Sequence, residues 1–254
     1  MKIIKSFRIR AKVKPRPKTR YPRSHKGRKP FPYPTAHLFK QDIADGISLG
    51  IKESNNTSFP IKGDVSLLVE VSSSRQINIA GVLKNVLDAC VPRLIPDDQY
   101  VGSTIIRKVP SIGNESVHLY VTSGRKIYSI NSTLNEMKAL ALMNVTVQTD
   151  LEDNYQVIPR KVGDYSINES VEDDWDLMNA IQGAYDGELL RGPFGLALTV
   201  YAHKVNGDID NMVMSFIKCS TGIIYEDPSY IETLYINRVI DTSNAEGYEV
   251  SLYY

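Results

Sequence analysis

The chain carries one framework twice, and that duplication limits its possible folds more than any other feature. Ile77-Asn78-Ile79-Ala80-Gly81 is followed by Ile95-Pro96-Asp97-Asp98-Gln99-Tyr100-Val101. Gly207-Asp208-Ile209-Asp210-Asn211 is followed by Tyr225-Glu226-Asp227-Pro228-Ser229-Tyr230-Ile231. Asp208 stands 208 − 78 = 130 positions after Asn78, and Asp227 stands 227 − 97 = 130 after Asp97. A single ungapped register therefore aligns both landmarks. Between them, Val82, Leu83, Val86 and Leu87 have helical spacing, and so do Met212, Val213, Phe216 and Ile217. Such a repeat predicts two tandem units, 1–125 and 126–254, each long enough to bury a core.

The flanking segments repeat the same order. Val65, Leu67, Val69 and Val71 alternate as a strand, matched by Leu196, Leu198 and Val200. Ile3–Val13, Thr104–Val109, Ser116–Val121, Asn144–Gln148, Tyr155–Ile158, Ile236–Ile240 and Tyr248–Tyr253 are further strand candidates. Helices are expected over His37–Glu53, over Leu134–Met143 and over Asp173–Leu190, the last with Trp175 as a core or anchoring residue. Pro92 ends the helix of the first copy. Strands and helices mix without regular βαβ alternation, which predicts the α+β class.

The formal net charge of +1 conceals a strong asymmetry. Fourteen Lys and Arg residues precede the first acid, Asp42, among them Lys14, Arg16, Lys18, Arg20, Arg23, Lys26, Arg28 and Lys29. Pro15, Pro17 and Pro22 forbid a helix there and favour an extended arm. Lys and Arg on such an arm suit phosphate contacts, and Tyr21, Phe31 and Tyr33 could stack on unpaired bases. A solvated basic tail is the plainer reading of the same run. The region from Asp150 to Glu188 is acidic instead. Cys90 and Cys219 form neither a disulfide framework nor a zinc signature and read as small core residues. No apolar run is long enough to span a membrane, and the first residues lack the apolar centre of a signal peptide, so a cytoplasmic location without a membrane partner is expected.

Asp208-Ile209-Asp210 in an extended segment would put two carboxylates on one face, where a third from beyond the helix, Asp227, could converge. Clustered hard oxygen ligands suit Mg²⁺, which keeps several waters and bridges to phosphates. Such a site polarises a phosphodiester and activates water. Taken alone the motif reads first as an acidic turn or helix cap, with Asp210 capping the helix that begins near Asn211.

Together with the basic Pro-Arg-Pro arm, these motifs make the chain resemble the RusA-type Holliday junction resolvases, found largely in bacteriophages and prophages. The family pattern reads Asp-x-Asp-Asn, a lysine four positions after the second Asp, then Asp-Ala-Leu, and finally Asp-Asp-Ser/Ala-Gln. The resemblance is clearest over Lys14–Val121 and Leu196–Ile240. The first copy keeps Lys84 at the lysine position, Asp88-Ala89-Cys90 and Asp97-Asp98-Gln99, but has Asn78 and Ala80 for the acidic pair. The second keeps Asp208, Asp210 and Asn211, but has Met214 for the lysine and Asp227-Pro228 for the acidic doublet. Neither copy holds a full set.

The resemblance implies a covalent pseudo-dimer, monomeric as a chain, that binds a four-way DNA junction in recombination, repair or phage DNA processing. It implies Mg²⁺-dependent endonuclease chemistry at Asp208, Asp210 and Asp227, with a degenerate site at Asn78, Ala80, Asp97 and Asp98 and at most one cutting site in the second copy. Lys84 would either neutralise transition-state charge or face solvent. A catalytically inactive DNA-binding relative is the other reading, favoured by Met214, Pro228, Asn78 and Ala80. A structural or interaction protein that reuses the dimer shape is a third.

Overall fold

The computed structural model describes residues 2–10, 34–54, 59–111, 113–126, 128, 134–148, 169–203, 208–240, 242–243 and 246–254, without the side chains of 34–38 and 169–174. The basic arm, including Lys14, Arg16, Lys18, Arg20, Arg23, Lys26, Arg28 and Lys29, lies outside the described residues, as does the strand expected over Tyr155–Ile158. The elements are β1 (Ile3–Arg10), α1 (Pro34–Glu53), β2 (Val65–Ser73), α2 (Ile79–Cys90), β3 (Val101–Pro110), β4 (Ser116–Ser123), α3 (Leu134–Ala139) and β5 (Met143–Gln148). They continue with α4 (Glu169–Ala184), β6 (Phe194–Ala202), α5 (Ile209–Ser220), β7 (Ile231–Ile240) and β8 (Gly247–Tyr253). Single 3-10 turns, Asp98–Tyr100 and Pro228–Tyr230, precede β3 and β7.

All eight strands join one mixed sheet in the order β1-β8-β6-β7-β3-β2-β4-β5. β2 runs parallel to β3, with α2 crossing between them, and β6 parallel to β7, with α5 crossing between them. Two βαβ units thus sit inside an otherwise antiparallel sheet. The sequence reading missed this alternation because each half has a single βαβ unit, followed not by another helix but by a strand that returns antiparallel beside the first, β4 on β2 and β8 on β6. α2 and α5 start 209 − 79 = 130 residues apart, and β3 and β7 start 231 − 101 = 130 apart.

The halves meet through β3 and β7, which pair antiparallel. Ile105 faces Tyr235, its own counterpart at 235 − 105 = 130, with Ser103 opposite Asn237 and Arg107 opposite Thr233. The register is therefore centred on one pair of equivalent residues. The edge strands cross over: β1 pairs with β8 of the second half, and β5 pairs with β4 of the first. Sheet pairing consequently does not divide at residue 125. Gly247, which opens β8 at φ 156°, is needed here because a Cβ would sit 2.0 Å from the Ile9 carbonyl oxygen on β1.

The helices α1, α2, α4 and α5 cover one face. Val65, Leu67, Val69 and Val71 of β2 and Leu196, Leu198 and Val200 of β6 are buried beneath them. α2 presents Ile79, Val82, Leu83, Val86, Leu87 and Cys90 to this core at helical spacing, and each large aliphatic buried there contributes roughly 1.5–3 kcal/mol. Cys90 and Cys219 are buried free thiols, and burial pushes the Cys90 thiol up to about 12. The opposite face carries a smaller cluster, Leu68, Ile105, Tyr128, Met137, Tyr235 and Tyr253. There Glu70 is buried between Arg107 and Lys138, whose Nζ lies 2.7 Å from Glu70 Oε2.

Three helix expectations need correction. α3 stops at Ala139, and Met143 opens a strand. α4 stops at Ala184, and Leu190 pairs by backbone instead, donating to the Ile224 carbonyl at 2.9 Å and accepting from Glu226 N–H at 3.1 Å. Trp175 is 43% exposed rather than in the core.

Candidate metal centre across the two halves

The antiparallel contact of β3 with β7 decides which acids meet. It lays the start of β3 beside the end of β7, and the parallel β6/β7 pair puts that end beside the end of β6. The Asp98–Tyr100 turn of the first half thereby reaches the start of α5 in the second. One carboxylate oxygen from each of Asp97, Asp98 and Asp208 lies within 4.8 Å of the others. Among the described residues this is the group of acids arranged to hold a metal ion.

Asp208 is the extended residue before α5 (φ −80°, ψ 130°), and its side chain does not cap the helix. Its Oδ2 accepts from Asn211 Nδ2 at 3.0 Å. Asp210 already lies in the first turn of α5, so the two carboxylates are not on one face of a strand as the motif suggested. Asp210 is buried, and Lys84 from α2 of the other half donates to its Oδ2 at 2.6 Å. Oδ1 of Asp210 is buried with no hydrogen-bond partner. Three converging carboxylates and, two residues on from Asp208, a buried carboxylate oxygen without a hydrogen-bond partner are features that a nearby cation would satisfy.

The electrostatics agree. Burial pushes the Asp98 carboxyl up to about 8, reinforced by its hydrogen bond to Asp208, by the Asp208 charge, and by Asp97 and Asp210. Burial also raises Asp210, and Lys84 with the neighbouring backbone only partly offsets that. For Lys84, burial alone would lower the pKa, but the charge of Asp210 and its hydrogen bond, with Asp88 and Asp208 behind, outweigh it and keep the ammonium charged.

Arg238 on β7 is 1% exposed and donates to the backbone carbonyl of Gln99, inside the turn that carries Asp98. Its counterpart at 238 − 130 = 108 is Lys108, whose Nζ donates to the Ser229 carbonyl at 2.9 Å. Arg238 has no motif in the sequence. Only the repeat, which aligns two cations on β3 and β7, could have singled it out.

Asp227, expected as the third ligand, is not in the cluster. Its Oδ1 accepts from Ser229 N–H at 2.7 Å and caps the Pro228–Tyr230 turn, which belongs to the pseudo-two-fold-related place near α2. Asp97 and Asp98, expected in a degenerate first-half site, stand in the cluster instead. Asn78 caps its own helix, accepting from Ala80 N–H at 3.2 Å and Gly81 N–H at 3.4 Å, and Ala80 is buried.

No family model matches the chain, and neither a curated protein nor a solved structure matches it. Among the described residues, no helix is long and apolar enough to cross a membrane.

Proposed function

We propose that this chain is a Mg²⁺-dependent endonuclease of the RusA-like Holliday junction resolvase class, an intramolecular pseudo-dimer acting on branched DNA. The observation that carries this reading is the convergence of Asp97 and Asp98 from the first half with Asp208 from the second, backed by the orphaned oxygen of Asp210. The acidic doublet and the Asp-x-Asp-Asn motif, which no single copy keeps together, become one set in space.

Asp97, Asp98 and Asp208 would hold Mg²⁺, and a bound ion would polarise the scissile phosphate and acidify a water. Asp210 and Asn211 orient this set: Asp210 anchors Lys84, and Asn211 fixes Asp208 by its amide. Lys84 brings a charged ammonium to the rim, where negative charge grows on the phosphate as the bond breaks. The basic arm supplies phosphate contacts that grip the DNA, a sequence-independent and salt-sensitive attraction.

Cleavage of a synthetic four-way junction with Mg²⁺, comparing wild type with Asp208→Asn and Asp98→Asn, tests the reading. Metal-dependent incision lost in both variants is expected. Junction binding without incision by the wild type would select the non-catalytic DNA-binding relative, and absence of DNA affinity would reject both.

A further inference from the structure

The two halves generate two composite places related by the β3/β7 pairing. The same register that brings the Asp98–Tyr100 turn to α5 brings the Pro228–Tyr230 turn to the start of α2. Gln76 Nε2 donates to Ser229 Oγ at 2.7 Å there, and Lys108 holds the Ser229 carbonyl. Each residue of the acidic cluster and its surroundings has a counterpart 130 positions away at this second place. Asp208 is replaced by Asn78, Asp210 by Ala80, Lys84 by Met214 and Asp98 by Pro228. Only Asp97 keeps a carboxylate counterpart, Asp227; each caps its own turn, accepting from Gln99 N–H and Ser229 N–H, but Asp227 has Pro228 and Asn78 where Asp97 has the carboxylates of Asp98 and Asp208.

Losses that look scattered along the sequence are sorted by the fold. Asp227 apart, every retained group falls in one place, and every replacement falls in the other. Resting on the nuclease reading above, we propose that the chain is one-sided: it makes a single incision per binding event and releases a singly nicked junction. In that incision the oxygen of water joins phosphorus, the scissile P–O bond breaks, and the proton passes to the leaving oxygen. Resolving the junction then requires a second incision by another active site, so this reaction must be followed by one that consumes a nicked branch.

A covalently closed plasmid bearing an extruded four-way junction separates the outcomes. Paired cuts within one encounter linearise it, and one cut leaves a nicked circle. Under single-turnover conditions with Mg²⁺ the wild type yields nicked circles, and Asn78→Asp/Ala80→Asp/Met214→Lys/Pro228→Asp shifts the product towards linear DNA. Mn²⁺ titration of the full chain is the second arm: Asp208→Asn removes binding and Asp227→Asn leaves it unchanged. Linear product from the wild type in the first turnover overturns the proposal, as does Mn²⁺ binding that survives Asp208→Asn and is removed by Asp227→Asn. Mn²⁺ binding confined to the Asp208 pocket, with no cutting of any DNA, supports one-sidedness of the metal pocket and rejects the nuclease reading alone.

Discussion

Lys108 and Arg238 occupy equivalent positions on β3 and β7, and each donates to a backbone carbonyl in the turn of the opposite half. Only the Arg238 contact supports acids of the cluster. Arg238→Met should therefore weaken metal affinity or activity by about 10- to 100-fold, the usual effect of losing a partner behind the ligands. Arg238→Lys, which copies the other half, should retain most of it, and Lys108→Met should leave metal affinity intact. Mn²⁺ titration of the three variants checks the ordering.

Removing Lys84 leaves the Asp210 carboxylate buried without its cation. Lys84→Met, the residue its counterpart Met214 already is, should cost about 1–3 kcal/mol. That is less than for a fully enclosed pair, because Lys84 is 36% exposed. Asp210→Asn in the same chain should recover part of the loss. Urea unfolding of both single variants and the double variant gives the coupling directly.

Asp98 should make the metal-free protein less stable as pH rises. Its folded pKa of about 8 lies above the ordinary carboxylate value of about 3.9, so the folded state binds the extra proton between those limits. Stability from this group is full below the lower value and lost as pH climbs through about 8. A metal must displace that proton, so Mg²⁺ affinity should rise over the same window and then level. Melting temperature against pH, with EDTA or Mg²⁺, reads both trends, and Asp98→Asn should flatten them.

Glu70 titrates in the opposite sense. Burial would raise its pKa, but hydrogen bonds and charge from Lys138 and Arg107 outweigh that and hold it below the ordinary glutamate range. Its stabilisation is present at neutral pH and lost as pH falls through its folded value. Glu70→Gln should cost about 1–3 kcal/mol at pH 7, and the gap from wild type should close below pH ~4. Acid denaturation of the two proteins makes the comparison.

Local pattern carried much of the architecture. The alternation of Val65, Leu67, Val69 and Val71 marked β2, because these branched aliphatics pack under the helices while Ser66, Glu70 and Ser72 interrupt the other, also largely buried, face. The spacing of Met212, Val213, Phe216 and Ile217 marked α5, because only that side of the helix is buried. Leu140 and Leu142 misled the reading of α3. They continue its apolar run but are 60% and 42% exposed, and the chain has already turned towards β5. The site was half legible. Asp208 and Asp210 stood out by type and spacing and Lys84 through the family resemblance, but the third carboxylate depends on which half's turn lies beside α5. That choice is made by the pairing of Ile105 with Tyr235, a contact between distant segments that neither repeat encodes by itself. The disjoint remnants in the two copies were the available hint, since one full set needs both.

The exchange of β1 and β5 between the halves binds their fates together. Cutting the chain at its midpoint would strip a border strand from each product and leave raw sheet edges open to aggregation. The second place cannot be discarded with its half either, since that half also lends Asp97 and Asp98 to the acidic cluster and Lys84 to Asp210. An apparently redundant segment is thus indispensable, and further shrinkage of such a polypeptide is closed off by its own weave.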